Sequence, residues 1–149
     1  MALLQGFFKP EFPEKYKGNV KNIVYRSSWE LTMLRRFDYD PNVIEYSSEE
    51  RIIPYRHPTT GKVHRYFVDF WVKRRMPDGS IVEQLIEVKP SSQTKMPTKG
   101  KKSKKTMMNE AITYSINQAK WDAAETFCKK KGWQFIIMTE KEIYGANGI

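Results

Sequence analysis

A chain of 149 residues, 40% hydrophobic and 13% aromatic, is long enough to pack one domain around a real core and too apolar to be disordered. Its single cysteine, Cys128, excludes an internal disulfide, and with only His57 and His64 beside it the usual zinc ligand sets are out of reach. The net charge of +9 is concentrated in one place: Lys95, Lys99, Lys101, Lys102, Lys104 and Lys105 fall between Ser91 and Thr106 with no acid among them, and without these six lysines 20 basic residues face 17 acidic ones.

The N-terminal run Ala2-Leu3-Leu4 is cut short at Gly6 and followed by Lys9-Pro10. It is too brief for a signal peptide or a membrane span, so a soluble, intracellular protein is expected. Residues 1–22 carry Pro10, Pro13 and Gly18 without periodicity and read as an irregular arm across the domain, with Phe7, Phe8 and Phe12 able to pin it to the core or to a partner. Residues 23–149 read as a single domain.

A helix starts at Ser27, which can cap the free amides while Glu30 returns to it in a capping box; Leu31, Leu34 and Phe37 form the expected buried stripe, and Pro41 ends the element. Val43–Tyr46 and Arg51–Tyr55 read as short strands, Pro54 holding the second at an edge or a strand end. After a turn at His57–Gly61, residues 62–71 read as one long strand. Met76-Pro77-Asp78-Gly79-Ser80 then turns the chain into Ile81–Val88, making a β-hairpin.

Side chains alternate along strands, so Glu87 and Lys89 project to one side and Gln84, Ile86 and Val88 to the other. By the same rule Asp69 shares a face with Phe67 and Trp71, and Val68 with Phe70 and Val72. If the polar faces coincide, two carboxylates and an ammonium converge beside an apolar floor. Two hard oxygens at that separation suit Mg2+, and a nearby lysine suits the charge that develops when water attacks a phosphodiester. The same spacing equally describes a solvated sheet face with a cross-strand ion pair. Glu30 likewise reads either as a helix cap or as a third carboxylate beside a metal.

Beyond Pro90 the lysine-rich segment, with Pro97 and Gly100, reads as a loop over residues 91–106, either a solvated excursion or a clamp on phosphates. A long helix follows from about Thr106 to Lys131. Met108, Ile112, Ile116, Ala119, Ala123 and Phe127 form its expected buried stripe, Tyr114, Trp121 and Cys128 lie opposite, and Gly132 is placed for the C-cap. Trp133–Met138 reads as a buried strand reached through this crossover helix, and Thr139–Gly145 as a short terminal helix or turn. The fold class is α/β, with a mixed sheet flanked by helices.

In order and in residue type this resembles the PD-(D/E)XK, restriction-endonuclease-like superfamily, whose core is αβββαβ with an aspartate ending one strand and an acid-x-lysine on the next; here these are Asp69 and Glu87-Val88-Lys89, with Glu30 on the first helix. Tyr25–Glu30, Tyr66–Phe70, Glu87–Pro90 and Asn117–Trp121 further resemble the head completion nucleases of tailed phages and, more distantly, TnsA-like endonucleases. The resemblance covers the chain from about residue 20.

It implies a DNA endonuclease using Mg2+, with Mn2+ as a substitute, in which Asp69, Glu87 and the Val88 backbone carbonyl hold the metal. Lys89, Glu30 and Gln118 would complete the catalytic set, Gln118 being equally a polar residue on the rim of a buried helix. Two departures are visible: Val68 stands where proline often precedes the aspartate, and Lys120-Trp121 follow the helix glutamine where RecB-like relatives carry tyrosine. The implied partners are double-stranded DNA, bound by Lys95, Lys99, Lys101, Lys102, Lys104 and Lys105, and phage head or connector proteins. The implied location is the host cytoplasm or the virion; no membrane is involved, and a homodimer suits cleavage of both strands. The rival expectation is a non-catalytic DNA-binding component of the head or connector that keeps the fold. An RNA-binding module is disfavoured, since no GXXG loop or paired sheet aromatics of an RNA-recognition motif are present.

Overall fold

The computed structural model describes residues 5–98 and 100–145, so Lys99 of the expected DNA-binding set lies outside the described residues. The N-terminal arm is fastened down. Strand β1 (Gly6–Phe7) pairs antiparallel with β2 (Val24–Tyr25), and Tyr16, only 5% exposed, enters the core and bridges to Tyr46. Of the three arm phenylalanines, Phe8 packs against that core, while Phe12 sits edge-on to Tyr39 and Phe7 stays exposed.

Helix α1 (Ser28–Tyr39) begins where Ser27 Oγ accepts the Glu30 amide at 3.2 Å. Its free C-terminal carbonyls meet the arm: Lys15 Nζ donates to the carbonyls of Phe37, Asp38 and Asp40 at 2.7, 2.7 and 2.9 Å, an ammonium placed at the negative end of the helix. The buried stripe is Met33, Leu34 and Phe37, with Met33 in the place expected for Leu31, which is half-buried. Asp38 is buried too, accepting from the amides of Glu11 and Phe12 and from the Tyr46 hydroxyl, which ties arm, helix and sheet together.

Strand β3 (Val43–Ser48) is followed by β4 (Ile52–Arg56) and β5 (Val63–Phe67), which form a separate two-stranded ribbon, with Pro54 in the ribbon as its edge-strand character requires. Then come β6 (Phe70–Arg75), β7 (Ile81–Val88), α2 (Lys104–Lys131), β8 (Gln134–Met138) and α3 (Glu140–Tyr144). The main sheet runs β3-β6-β7-β8, antiparallel except for the β7–β8 pair, which is parallel and joined through α2. The order α1-β3-β6-β7-α2-β8 is the αβββαβ core of a restriction-endonuclease-like fold.

The expected strand over residues 62–71 is in fact two strands in two sheets. Continuous β-favouring residues hide a change of partner at Val68-Asp69, where the Val68 amide bonds the Arg51 carbonyl at 3.1 Å and the Asp69 carbonyl accepts from the Glu49 amide at 3.0 Å. The break resets the alternation. Phe70 and Val72, with Ile86 and Val88, face α1 and the arm, whereas Val68 joins Trp71, Leu85 and Trp121 on the α2 side. Each such side chain, buried to a few percent exposure, contributes roughly 1.5–3 kcal/mol.

On helix α2 the expected stripe packs in part: Ile116, Ala119, Ala123 and Phe127 lie partly buried against the core. Trp121, Ala124 and Cys128 are buried with Asn117, while Met108 and Ile112 are 64% and 38% exposed. Met108 and Ile112, in the first half of the helix, belong to neither core cluster. The helix begins at Lys104, capped by Ser103, so Lys104 and Lys105 lie in its first turn and not in the preceding loop. Gly132 closes it in the left-handed conformation, φ +73, as a C-cap glycine does.

Candidate active site

Asp69 stands at the break before β6, and Glu87 is the penultimate residue of β7. Because Phe70 pairs with Ile86, the next step of the antiparallel ladder sets Asp69 opposite Glu87. Asp69 Oδ2 accepts the Val88 amide at 2.8 Å, which fixes its carboxyl on that strand end. Glu87 is 4% exposed, with Oε2 3.5 Å from Trp121 Nε1 and 4.0 Å from Lys89 Nζ. Residues directly opposite in an antiparallel pair have Cβ atoms about 4.5–5.5 Å apart, which sets the two carboxyls side by side.

The electrostatics follow from that placement. Asp69 as a whole keeps partial solvent access, yet its carboxyl is turned far enough inward that burial, and then the Glu87 charge, push it well above the usual carboxylate range; the Val88 amide offsets this only in part. Two adjacent buried carboxyls are relieved by a proton between them or by a cation. Lys89, half-buried at the end of β7, is held by its amide on the Met138 carbonyl at 3.0 Å. A residue in a strand directs its N–H and C=O to the same side, so the Val88 carbonyl looks towards Asp69 as its amide does.

Glu30 does serve the helix cap, but not through the reciprocal box expected. Its carboxylate accepts the Ser27 hydroxyl at 3.2 Å. Burial raises the Glu30 pKa, the Ser27 hydroxyl and the Arg26 amide draw it back, and its charge reaches Asp69. Gln118 is half-buried on α2, one turn before Trp121, and forms none of the hydrogen bonds that link Asp69, Val88, Glu87 and Trp121. Lys95, Lys101, Lys104 and Lys105 are exposed, and Lys102 is paired with Glu110 at 2.8 Å.

Local pattern assigns no role at the site to four of its neighbours. Among the described residues the Tyr66 hydroxyl is fully buried without a partner in hydrogen-bonding geometry, although the Glu87 carboxyl is close by; burial and then the charges of Glu87 and Asp69 raise its pKa strongly. Trp121 brings its indole N–H to Glu87 from the far side of the chain. Glu49 occupies the left-handed region at φ 56 in the turn after β3, donates its amide to the Asp69 carbonyl, and pairs with Arg26, whose charge also meets Glu30 and Asp69. Such contacts join residues far apart in the chain.

Among the described residues, no group of three or more His, Cys, Asp or Glu side chains is arranged to hold a metal ion. Magnesium does not demand one: it uses one or two carboxylates and completes its octahedron with water and substrate phosphate. The donor set of Asp69, Glu87 and the Val88 carbonyl is all hard oxygen, and its mutual repulsion is only partly offset by the Val88 amide and Lys89, so it fits such an ion. No helix among the described residues is long and apolar enough to cross a membrane.

Residues 40–140 match the family model described as TnsA-like endonuclease N terminal. The protein named head completion nuclease of Enterobacteria phage T4 is 40% identical over 139 residues, covering 91% of this chain and 90% of that protein. With most of its length inside the one match and nearly all inside the other, the chain belongs to the TnsA-like endonuclease family of restriction-endonuclease-like nucleases.

Proposed function

We propose that the chain is a Mg2+-dependent DNA endonuclease that hydrolyses phosphodiester bonds, and that in a phage head it acts on the ends of packaged DNA. The observation that supports this most is the buried pairing of Asp69 with Glu87 at one strand end, Lys89 beside them. The name of the phage T4 relative supports the biological setting.

Asp69, Glu87 and the Val88 carbonyl would hold the ion, which when bound acidifies a coordinated water and offsets charge on the phosphate. The Val88 amide fixes one Asp69 oxygen, which leaves the other free. The Tyr66 hydroxyl, with no other partner, donates to Glu87 once a small shift aligns them, and Trp121 N–H holds the same carboxylate from α2. Lys89 faces the negative charge that builds on the phosphorane oxygens. Glu30 shapes the field at Asp69 from the start of α1. The partners are double-stranded DNA and, in the head, connector proteins; the location is the host cytoplasm and the assembling virion.

Incubation of supercoiled plasmid with the protein separates this reading from a DNA-holding head component. Nicking with Mg2+ or Mn2+ that stops with EDTA, and is absent from Asp69→Ala, supports it. Intact plasmid under all conditions rejects it.

A further inference from the structure

A groove of about 860 Å3 runs between residues 91–98 and the first half of α2. Ser91, Lys95 and Thr98 line one side, and Thr113, Tyr114 and Asn117 the other, Asn117 being the most buried of the lining residues. Asn117 is 7% exposed, yet its amide forms none of the side-chain hydrogen bonds among the described residues. An amide offers donors and an acceptor together, the combination that meets a base edge. Tyr114, three residues earlier on the same side, presents an aromatic ring of the kind on which a base stacks. Glu110 also lines the groove, but Lys102 pairs with it at 2.8 Å and cancels its charge, leaving Lys95 at the mouth for a phosphate.

Size and position narrow the occupant. The volume falls in the range, roughly 300–1,000 Å3, that encloses a ligand of drug size, the class to which a single nucleotide belongs. An intact duplex keeps its bases stacked and paired inward and offers such a cleft only its backbone. The groove also abuts the candidate active site. Ser91 is two residues beyond Lys89, and Asn117 is one helical turn, about 6 Å, before the Trp121 that faces Glu87.

We infer that this groove holds one unpaired nucleotide next to the phosphate being cut, so that the protein selects frayed or single-strand-tailed DNA ends over continuous duplex. This rests on the nuclease reading for the words "being cut", but the binding site stands or falls on its own measurement.

The test is anisotropy in Ca2+ with a fluorescent hairpin duplex, either blunt or carrying a three-nucleotide tail, for the wild type, Asn117→Ala and Thr113→Trp. Thr113 is an exposed helix position where tryptophan fills the groove without touching the core. The wild type should bind the tailed hairpin about tenfold or more tightly than the blunt one, and both variants should bring the tailed affinity down to the blunt value. Equal binding of the two hairpins by the wild type, or a preference that survives Thr113→Trp, overturns the inference. A protein that shows the preference and never nicks plasmid keeps the groove site and loses the nuclease reading.

Discussion

Asp69 and Glu87 confront each other at the end of the β6–β7 pair, the first fixed by the Val88 amide and the second backed by Trp121. With no cation between them they repel, so each should be expendable for folding and indispensable for chemistry. Glu87→Ala and Asp69→Ala should lower nicking by about 10²–10⁴-fold, the several kcal/mol that a bound ion contributes to the transition state. Asp69→Asn, which keeps the shape and removes one charge, should melt above the wild type in EDTA. A thermal scan in EDTA beside the nicking assay checks both statements.

Lys89→Ala should act on the chemical step. Its Nζ lies 4.0 Å from Glu87 and only half out of solvent, placed for developing charge more than for gripping the duplex. The expected result is a fall of about 10²–10³-fold in single-turnover rate with DNA affinity little changed. Comparable losses in both would make Lys89 a binding residue.

Tyr66→Phe removes a buried hydroxyl that has no hydrogen-bond partner among the described residues. Stability should therefore hold or rise slightly. If the phenol orients Glu87, Mn2+ affinity by titration calorimetry should fall about 10-fold or more, as for other groups that steady metal-binding side chains. Unchanged Mn2+ affinity would leave Tyr66 as packing alone.

Neutralising Lys101, Lys104 and Lys105 together should weaken duplex binding for every sequence. For each phosphate that one of these ammonium groups neutralises, the slope of log affinity against log salt should become shallower by about 0.9. An unaltered slope would place these lysines off the DNA.

The arm should loosen in alkali. Tyr16 donates its hydroxyl to the Ser48 carbonyl and accepts the Ser48 amide, and burial pushes its pKa up to about 12. A phenol held protonated by the fold contributes fully below its unfolded value near 10, and that contribution drains away as pH rises towards 12, at up to roughly 1.4 kcal/mol per pH unit. Tyr16→Phe should show a shallower loss of melting temperature over that window, with Tyr46 and Tyr66, also raised by burial, accounting for the remainder.

What the sequence makes legible here is local. The period-two runs on either side of Asp78-Gly79 specify the β6–β7 hairpin, and with it the face shared by Glu87 and Lys89. The Ser27 cap and the Gly132 terminus are equally local. The break at Val68-Asp69 is hidden because strand propensity runs unbroken across a change of sheet, whereas the hairpin register, carried one step beyond Phe70–Ile86, is what brings Asp69 opposite Glu87. Periodicity finds only part of the buried face of α2 because an apolar residue reads as buried whether or not a layer covers it: Ile116, Ala119, Ala123 and Phe127 pack on the core, while Met108 and Ile112 stay exposed. Local pattern gives Tyr66, Trp121 and the Arg26–Glu49 pair no role at the site because each owes its place to a contact across the fold.

The most direct test is the anomalous scattering of crystals soaked in Mn2+. A strong peak is expected between the carboxyls of Asp69 and Glu87, about 2.1 Å from an oxygen of each and within reach of the Val88 carbonyl. Full occupancy of crystals by Mn2+ elsewhere with nothing between these two side chains, or no ordered ion at saturating Mn2+, would contradict it.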